Sequence, residues 1–372
     1  MARAPIAHDI DEVPEADRLD GFPHPRATTA LFGHAGAEEM LAEQVREGKL
    51  HQGLIVSGRE GIGKATLAYR LARHLLAEPG ERDPFGVALD VGSQTRASRQ
   101  VAALSHPGLL VLRRPWDAKA KRFATAITVE EVRRLRSFLG MAADEGSWRV
   151  VIVDQADDLN VNAANALLKS LEEPPARTIF VLLSCEVGRL LPTVRSRCRI
   201  LMLEPLGAQD VRRAVEAACG AAGIEPPAGD GWPRVVELAG GSVRRALTLA
   251  GSGAIDLDAR IRGFLSALPR VDWPKVHALA DELAAPSAEQ RYETFFDLML
   301  AALARMIHDA ATGDATPPDR PAHAIVTPAR LPLFAEAWSQ IVADRQTCAD
   351  LNLDKRALIV GVIGRLAAVA RR

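Results

Sequence analysis

Apolar residues along the chain fall into two kinds of run. Short unbroken runs at Leu54-Ile55-Val56, Leu109–Leu112, Val150–Val153, Ile179–Leu183 and Ile200–Leu203 predict five strands buried on both faces. Between them apolar positions recur with helical spacing. Leu67, Ala68, Leu71, Ala72, Leu75 and Leu76 share one face, which ends near Pro79-Gly80. Met40, Leu41 and Val45 share a face of a short helix over Ala37–Glu47. Thr128 followed by Glu131 is a capping-box spacing for a helix over Val129–Leu139, and a helix over Asn162–Leu171 must stop before Pro174-Pro175. Residues 80–105 have no period, and residues 115–126 have the character of a loop. Buried strands alternating with helices predict an α/β fold: a parallel sheet with helices on both faces.

After Pro205 no strand pattern appears. Residues 206–252 predict a small helical unit. Residues 257–372 predict a second helical block with long periodic stretches at Gln290–His308 and Lys355–Arg371, and a Pro-rich loop at Thr316–Pro321. A chain of 372 residues, 48% apolar, is long enough for such a division. The expected domains are a flexible N-terminal arm (1–27), a P-loop domain (28–205), a small helical domain (206–254) and a C-terminal helical domain (255–372).

A formal net charge of −1 excludes a polycation, so contact with nucleic acid needs a local patch or partner chains. Lys119, Lys121 and Arg122 are the local candidates for phosphate, although a charge run of this kind is usually a solvated loop. No apolar run reaches membrane-spanning length, and the polar, acidic start His8-Asp9-Ile10-Asp11-Glu12 is not a signal peptide. The expectation is a cytoplasmic protein. Cys185, Cys198, Cys219 and Cys348 are widely spaced and predict buried free thiols, with neither a zinc site nor a disulfide framework.

The chemistry concentrates after the first strand. Gly58-Arg59-Glu60-Gly61-Ile62-Gly63-Lys64-Ala65-Thr66 fits the P-loop G-x-x-x-x-G-K-[ST] until its last position. Gly58, Gly61 and Gly63 let the backbone N–H groups turn toward phosphate, and Lys64 supplies charge. Ala65 stands where a hydroxyl would hold Mg²⁺, and Thr66 lies about 100° further round the helix. The third strand ends in Asp154, the acidic partner a P-loop uses to orient Mg²⁺. Gln155 follows it, and an amide is a poor general base. Arg195-Ser196-Arg197-Cys198-Arg199 is either a solvated basic loop or an arginine offered to a phosphate held elsewhere. In Gly240-Gly241-Ser242-Val243-Arg244, Ser242 is a predicted N-cap, which puts Arg244 in the first helical turn.

Taken together these residues resemble the bacterial clamp-loader family of AAA+ ATPases. The resemblance runs over about residues 24–250. It is carried by Ser105-His106-Pro107, by Asp154-Gln155-Ala156-Asp157, by Asn162–Pro175 with its Asn-Ala-Leu-Leu-Lys and Glu-Glu-Pro-Pro segments, and by Ser196-Arg197-Cys198. It implies a P-loop AAA+ RecA-like domain, a helical lid and an all-α collar that builds a ring. It implies that Arg197 is an arginine finger acting in trans, that Arg244 is the second sensor, and that Ser184 lies near the first. It implies partners: gamma or tau motor subunits and delta in a five-subunit arc, with the sliding clamp and primed DNA reached through the complex. Polymerase chemistry would belong to other subunits. Ala65 and Gln155 depart from the hydrolytic pattern, so ATP or ADP would be bound weakly or without turnover. Gly92, Thr95 and Ser98 stand at zinc-ligand positions of the family, and no zinc is expected. The chain would then be a stator; an active AAA+ ATPase and a nucleotide-binding regulator outside replication are the competing readings.

Overall fold

The computed structural model describes residues 14–82, 88–140, 147–227, 229, 231–251, 253–313 and 325–371. The predicted loop Thr316–Pro321 and the first thirteen residues of the predicted arm lie outside them. Contacts divide the chain into two units, one of residues 1–226 with 240–245, the other of residues 227–239 with 246–372.

The first unit is built on a sheet. Its elements are α1 (Ala35–Arg46), β1 (Gly53–Ser57), α2 (Lys64–Leu76), α3 (Arg96–Ala102), β2 (Leu109–Leu112), β3 (Trp116–Asp117), β4 (Arg122–Phe123), α4 (Val129–Gly140), β5 (Arg149–Val153), α5 (Val161–Glu172), β6 (Thr178–Ser184), α6 (Pro192–Arg195), β7 (Arg199–Met202) and α7 (Ala208–Ala222). Five strands pair in parallel in the order β2-β5-β6-β1-β7. Strand alternation sends side chains to opposite faces. Val150, Ile152, Ile179, Val181 and Leu183 pack with Leu67, Leu71 and Leu75 of α2. Val151, Val153, Phe180 and Leu182 pack with Val132 and Leu135 of α4 and Leu167 and Leu171 of α5. Each fully buried aliphatic side chain contributes about 1.5–3 kcal/mol. Two covered faces explain why the runs of β1, β5 and β6 are continuously apolar; β7, expected to be buried likewise, lies at the sheet edge with Ile200 and Met202 exposed.

Three local expectations change. Residues 80–105 contain helix α3, started by Thr95, whose side chain accepts from Ser98 N at 3.2 Å. Residues 115–126 contain the small hairpin β3–β4, closed by edge-to-face packing of Trp116 on Phe123 at 4.9 Å. From Pro14 onward the segment expected to be a flexible arm is fastened down. Arg26 donates to Glu15 at 2.6 Å and to the carbonyl of Ala102 at 2.8 Å, and Arg73 of α2 donates to the carbonyls of Arg26 and Thr28. Buried charges with good partners tie the segment down where composition alone predicts disorder. On α1, Leu41 is buried as expected, but Met40 faces outward.

The second unit is entirely helical among its described residues. Helix α8 (Trp232–Ala239), most of α9 (Val243–Gly251) and the helices Ala254–Ala267, Trp273–Leu283, Glu289–Thr312, Leu331–Leu351 and Lys355–Arg371 build it. Phe295, Phe296, Met299, Phe334 and Ile341 fill its interior. Asp258 is buried there, and its carboxylate accepts from Arg234 and Arg262, each at 2.9 Å. No helix among the described residues is long and apolar enough to cross a membrane.

One buried group makes the first unit acid-sensitive. His74 of α2 has a buried Nδ1 without a hydrogen-bond partner, and burial, aided by Arg82, lowers its pKa to about 4. The unfolded chain takes up that proton near pH 6.5, while the folded chain resists until about pH 4. The stability His74 permits is therefore whole above pH 6.5 and is lost as pH falls toward 4. His74→Leu should flatten the fall in melting temperature between those pH values; an unchanged pH profile would refute the assignment.

Candidate functional site

β1 ends in Ser57, and the glycine loop follows at the carboxyl edge of the sheet. Gly58, Gly61 and Gly63 have φ of 150°, 74° and 112°, a backbone path closed to side chains at little cost only for glycine. Gly61 is also crowded. Its carbonyl accepts from Val243 N at 2.9 Å, and a Cβ there would come within 2.5 Å of Arg244 Cβ and Ser242 Oγ. The Gly240–Arg245 segment thus lies directly on the loop. Ser242 caps α9 as its sequence predicts, accepting from Arg245 N at 3.2 Å. Lys64, at the start of α2, is buried. Its ammonium donates to the carbonyls of Gly58 and Arg59, both at 2.7 Å, and stands 3.3 Å from Cys185 Sγ.

Asp154 follows the last residue of β5 and is 7% exposed. The Asp17 carboxyl, from the N-terminal segment, lies close enough to act on the charge of Asp154, whose own Oδ2 is buried without a hydrogen-bond partner. Burial, with the charge of Asp17, pushes Asp154 well above the usual carboxylate range. Burial acts on Asp17 the same way, but His24 at 2.7 Å and Arg113 at 3.1 Å overcome it and hold Asp17 low. Two adjoining carboxyls cannot both ionise cheaply. Of the two, Asp154 therefore holds a proton more readily and Asp17 carries the charge more readily. Arg113 is shared with Glu15, so a cation at the end of β2 knits the N-terminal segment to the sheet.

The remaining candidates are engaged close by. Arg244 reaches the carbonyls of Asp17 and Arg18, each at 3.3 Å, and Glu60 at 3.3 Å. Ser184, fully buried at the end of β6, donates to Asp157 at 2.7 Å, and Asp157 also accepts from Cys185 N. Gln155 has a left-handed backbone, φ 57°, at the turn after Asp154. Ala65 packs against the α2 face of the core, and Thr66 is half-buried one position on. The structure therefore gathers Gly58, Gly61, Gly63, Lys64, Asp154 and Arg244 around one cleft, with Ser184 beneath it. This donor set does not fit a hydrolytic magnesium centre: Ala65 supplies no oxygen, burial and the charge of Asp17 disfavour an ionised Asp154, and Gln155 is no carboxylate.

Arg197 lies elsewhere. It follows α6, and its carbonyl would come within 2.9 Å of a Cβ on Gly53, the first residue of β1. The glycine loop leaves from the last residue of β1. The four steps from Gly53 to Ser57, at about 3.3 Å each, put roughly 13 Å between them. The guanidinium is surface-accessible, paired with Glu172 at 2.7 Å and with the carbonyl of Thr193 at 2.9 Å. Cys198 packs against Gly53, and burial pushes its thiol up to about 11, which keeps it neutral.

The sequence singled out neither Asp17 nor Arg113. Each is an ordinary charged residue locally, and only the fold brings them to Asp154. Asp157 was visible only inside a motif. At the expected zinc positions, Thr95 donates to the carbonyl of Gly92 at 2.9 Å, and Glu81 accepts from Arg96 N at 2.7 Å. These hydrogen bonds, with the packing of Ala77, Val91 and Ala97, hold this loop. Among the described residues no group of three or more His, Cys, Asp or Glu is arranged to hold a metal ion.

The crowding at Gly61 gives a test. Gly61→Ala should lower the urea midpoint by an amount equivalent to about 1–3 kcal/mol. Gly36→Ala, where a Cβ meets nothing within 4 Å, should not destabilise. Equal midpoints for the two variants would contradict the packed loop.

Residues 33–207 match the family model described as DNA polymerase III, delta subunit. The delta' subunit of DNA polymerase III from Pseudomonas aeruginosa is 35% identical over 208 residues, which is 56% of this chain and 58% of that protein. The Escherichia coli tau subunit is 27% identical over 304 residues, 76% of this chain and 44% of that protein. The chain thus spans little more than half the length of the delta' relative. A Thermotoga maritima protein described as related to the gamma subunit aligns with 89% of this chain and all of its own, at 16% identity and a TM-score of 0.38, too distant to carry an argument. Through the sequence of its P-loop domain, the chain is similar to delta' subunits of DNA polymerase III.

Proposed function

We propose that this chain is the stator of a DNA polymerase III clamp loader: a subunit that supplies Arg197 in trans to the ATP site of a neighbouring motor subunit while the sliding clamp is placed on primed DNA. The observation that carries this reading is the position of Arg197. It is accessible, at the end of β1 opposite the chain's own glycine loop, so it is badly placed for that loop and free to face another chain. Arginine suits the task, since its charge is permanent and its fork matches phosphate oxygens.

The chain's own cleft supports the same division of labour. Ala65, Gln155 and the Asp154 buried beside Asp17 argue against efficient hydrolysis, so ATP or ADP held here would not turn over, and no zinc is needed. This disfavours an active ATPase. The partners would be gamma or tau motor subunits and delta in a hetero-pentamer, working in the cytoplasm, with the helical unit as the collar. Polymerase chemistry would lie in other subunits.

Reconstitution tests the proposal. Arg197→Ala should assemble normally yet slow the completed neighbouring site about 10³-fold, read as loss of DNA-stimulated ATPase and of clamp loading. Glu172→Ala, which removes only the local ion pair, should leave both near normal. Full ATPase with Arg197→Ala in an assembled complex would rule the finger out.

A further inference from the structure

We infer that residues 15–18 are an internal ligand of the cleft: the N-terminal segment binds the residues a nucleotide would need, its Asp17 carboxyl on Asp154 and its Asp17 and Arg18 carbonyls on Arg244.

The contacts come from two sides. Asp154 belongs to the carboxyl edge of the sheet, and Arg244 to the segment lying on the glycine loop. Asp17 faces both: its carboxyl acts on Asp154, and its carbonyl, with that of Arg18, accepts from Arg244. The occupant is built in rather than draped over the surface. The Asp17 side chain is 6% exposed and that of His24 4%. His24, Arg113 and Arg26 hold residues 15–17 from positions away from Arg244. The anchors fix the segment beside the cleft at high effective concentration. A carboxylate there opposes an incoming phosphate, and it removes Asp154 from any metal.

The contacts differ in strength, and this sets how the cap could open. Those on Arg244 are long, 3.3 Å to each carbonyl, whereas Asp17 to His24 is 2.7 Å. A phosphate would offer Arg244 a charged, bidentate partner in place of two long carbonyl contacts, so Arg244 is the contact a nucleotide displaces most easily. Asp17 is the one that resists. The apparent affinity for nucleotide then equals the intrinsic affinity reduced by the fraction of chains in which the segment is undocked. This inference uses the cleft's descent from a nucleotide site but not the role of Arg197, so it stands or falls separately from the stator.

The test uses the full chain and fluorescent ADP in EDTA, followed by anisotropy. Asp17→Ala should bind ADP at least about tenfold more tightly than the unmodified chain. Asp17→Asn, which keeps the shape and loses the charge, should fall between. In the unmodified chain, amide exchange over residues 15–24 should speed up as ADP saturates. Equal ADP affinity for the unmodified chain and a folded Asp17 variant overturns the proposal. So does failure of both folded variants to bind ADP at millimolar concentration, or ADP binding to the unmodified chain with exchange over residues 15–24 unchanged. If Asp17→Ala does not fold, Asp17→Asn and the exchange measurement decide.

Discussion

The first unit depends on burying β1. Its five residues are covered on both faces and paired on both edges, by β6 and by β7. A strand so enclosed cannot shift without moving its whole apolar set to the wrong face. It therefore holds two things at fixed separation. At its carboxyl end the chain turns into the glycine loop and α2. At its amino end Gly53 leaves just enough room for the backbone of Arg197 and the thiol of Cys198. One strand sets both the cleft and the arginine, and by its length it keeps them apart.

The two ends differ in how their charges are satisfied. At the glycine loop the two cations have partners from this same chain, Lys64 the loop carbonyls and Arg244 backbone oxygens and Glu60, while Asp154 lies buried beside the carboxyl of Asp17. Buried groups left without such partners would each cost about 1–3 kcal/mol or more, so self-satisfaction is what lets the cleft fold as it stands. It also leaves little for a ligand to gain, since any new contact must first replace an old one. At the other end, Arg197 is half in water and owes the fold little.

Much of this was legible in the sequence, for a physical reason. Every strand of the five-stranded sheet forms within one residue of its apolar run; for β1, β5 and β6 the reason is burial on both faces, whereas β7, expected to be buried, is an edge strand with Ile200 and Met202 exposed. The faces of α2 and α5 and the cap at Ser242 follow from local rules in the same way. What escaped was either too short or too distant. Helix α3 has little apolar face, only Ala97 and Val101 buried, and β3 and β4 have two residues each, too few to show a period. Asp17 and Arg113 meet Asp154 only through the tertiary fold, and the acidic, Pro-containing start of the chain looks like an arm when its partners are out of sight.

The local pairing of Arg197 with Glu172 joins the two most specific motifs, Glu-Glu-Pro-Pro at the end of α5 and Ser-Arg-Cys after α6. The proposed action of Arg197 on another chain's phosphate requires it to be held in a useful direction without being held firmly. A half-exposed ion pair meets that need: such pairs contribute about 0–1 kcal/mol. The Thr193 carbonyl adds direction from a second side. Exchanging Glu172 for a phosphate then costs little, whereas extracting a buried arginine such as Arg234 from Asp258 would cost about 3–5 kcal/mol. The weakness of the Glu172 pair is what makes Arg197 available.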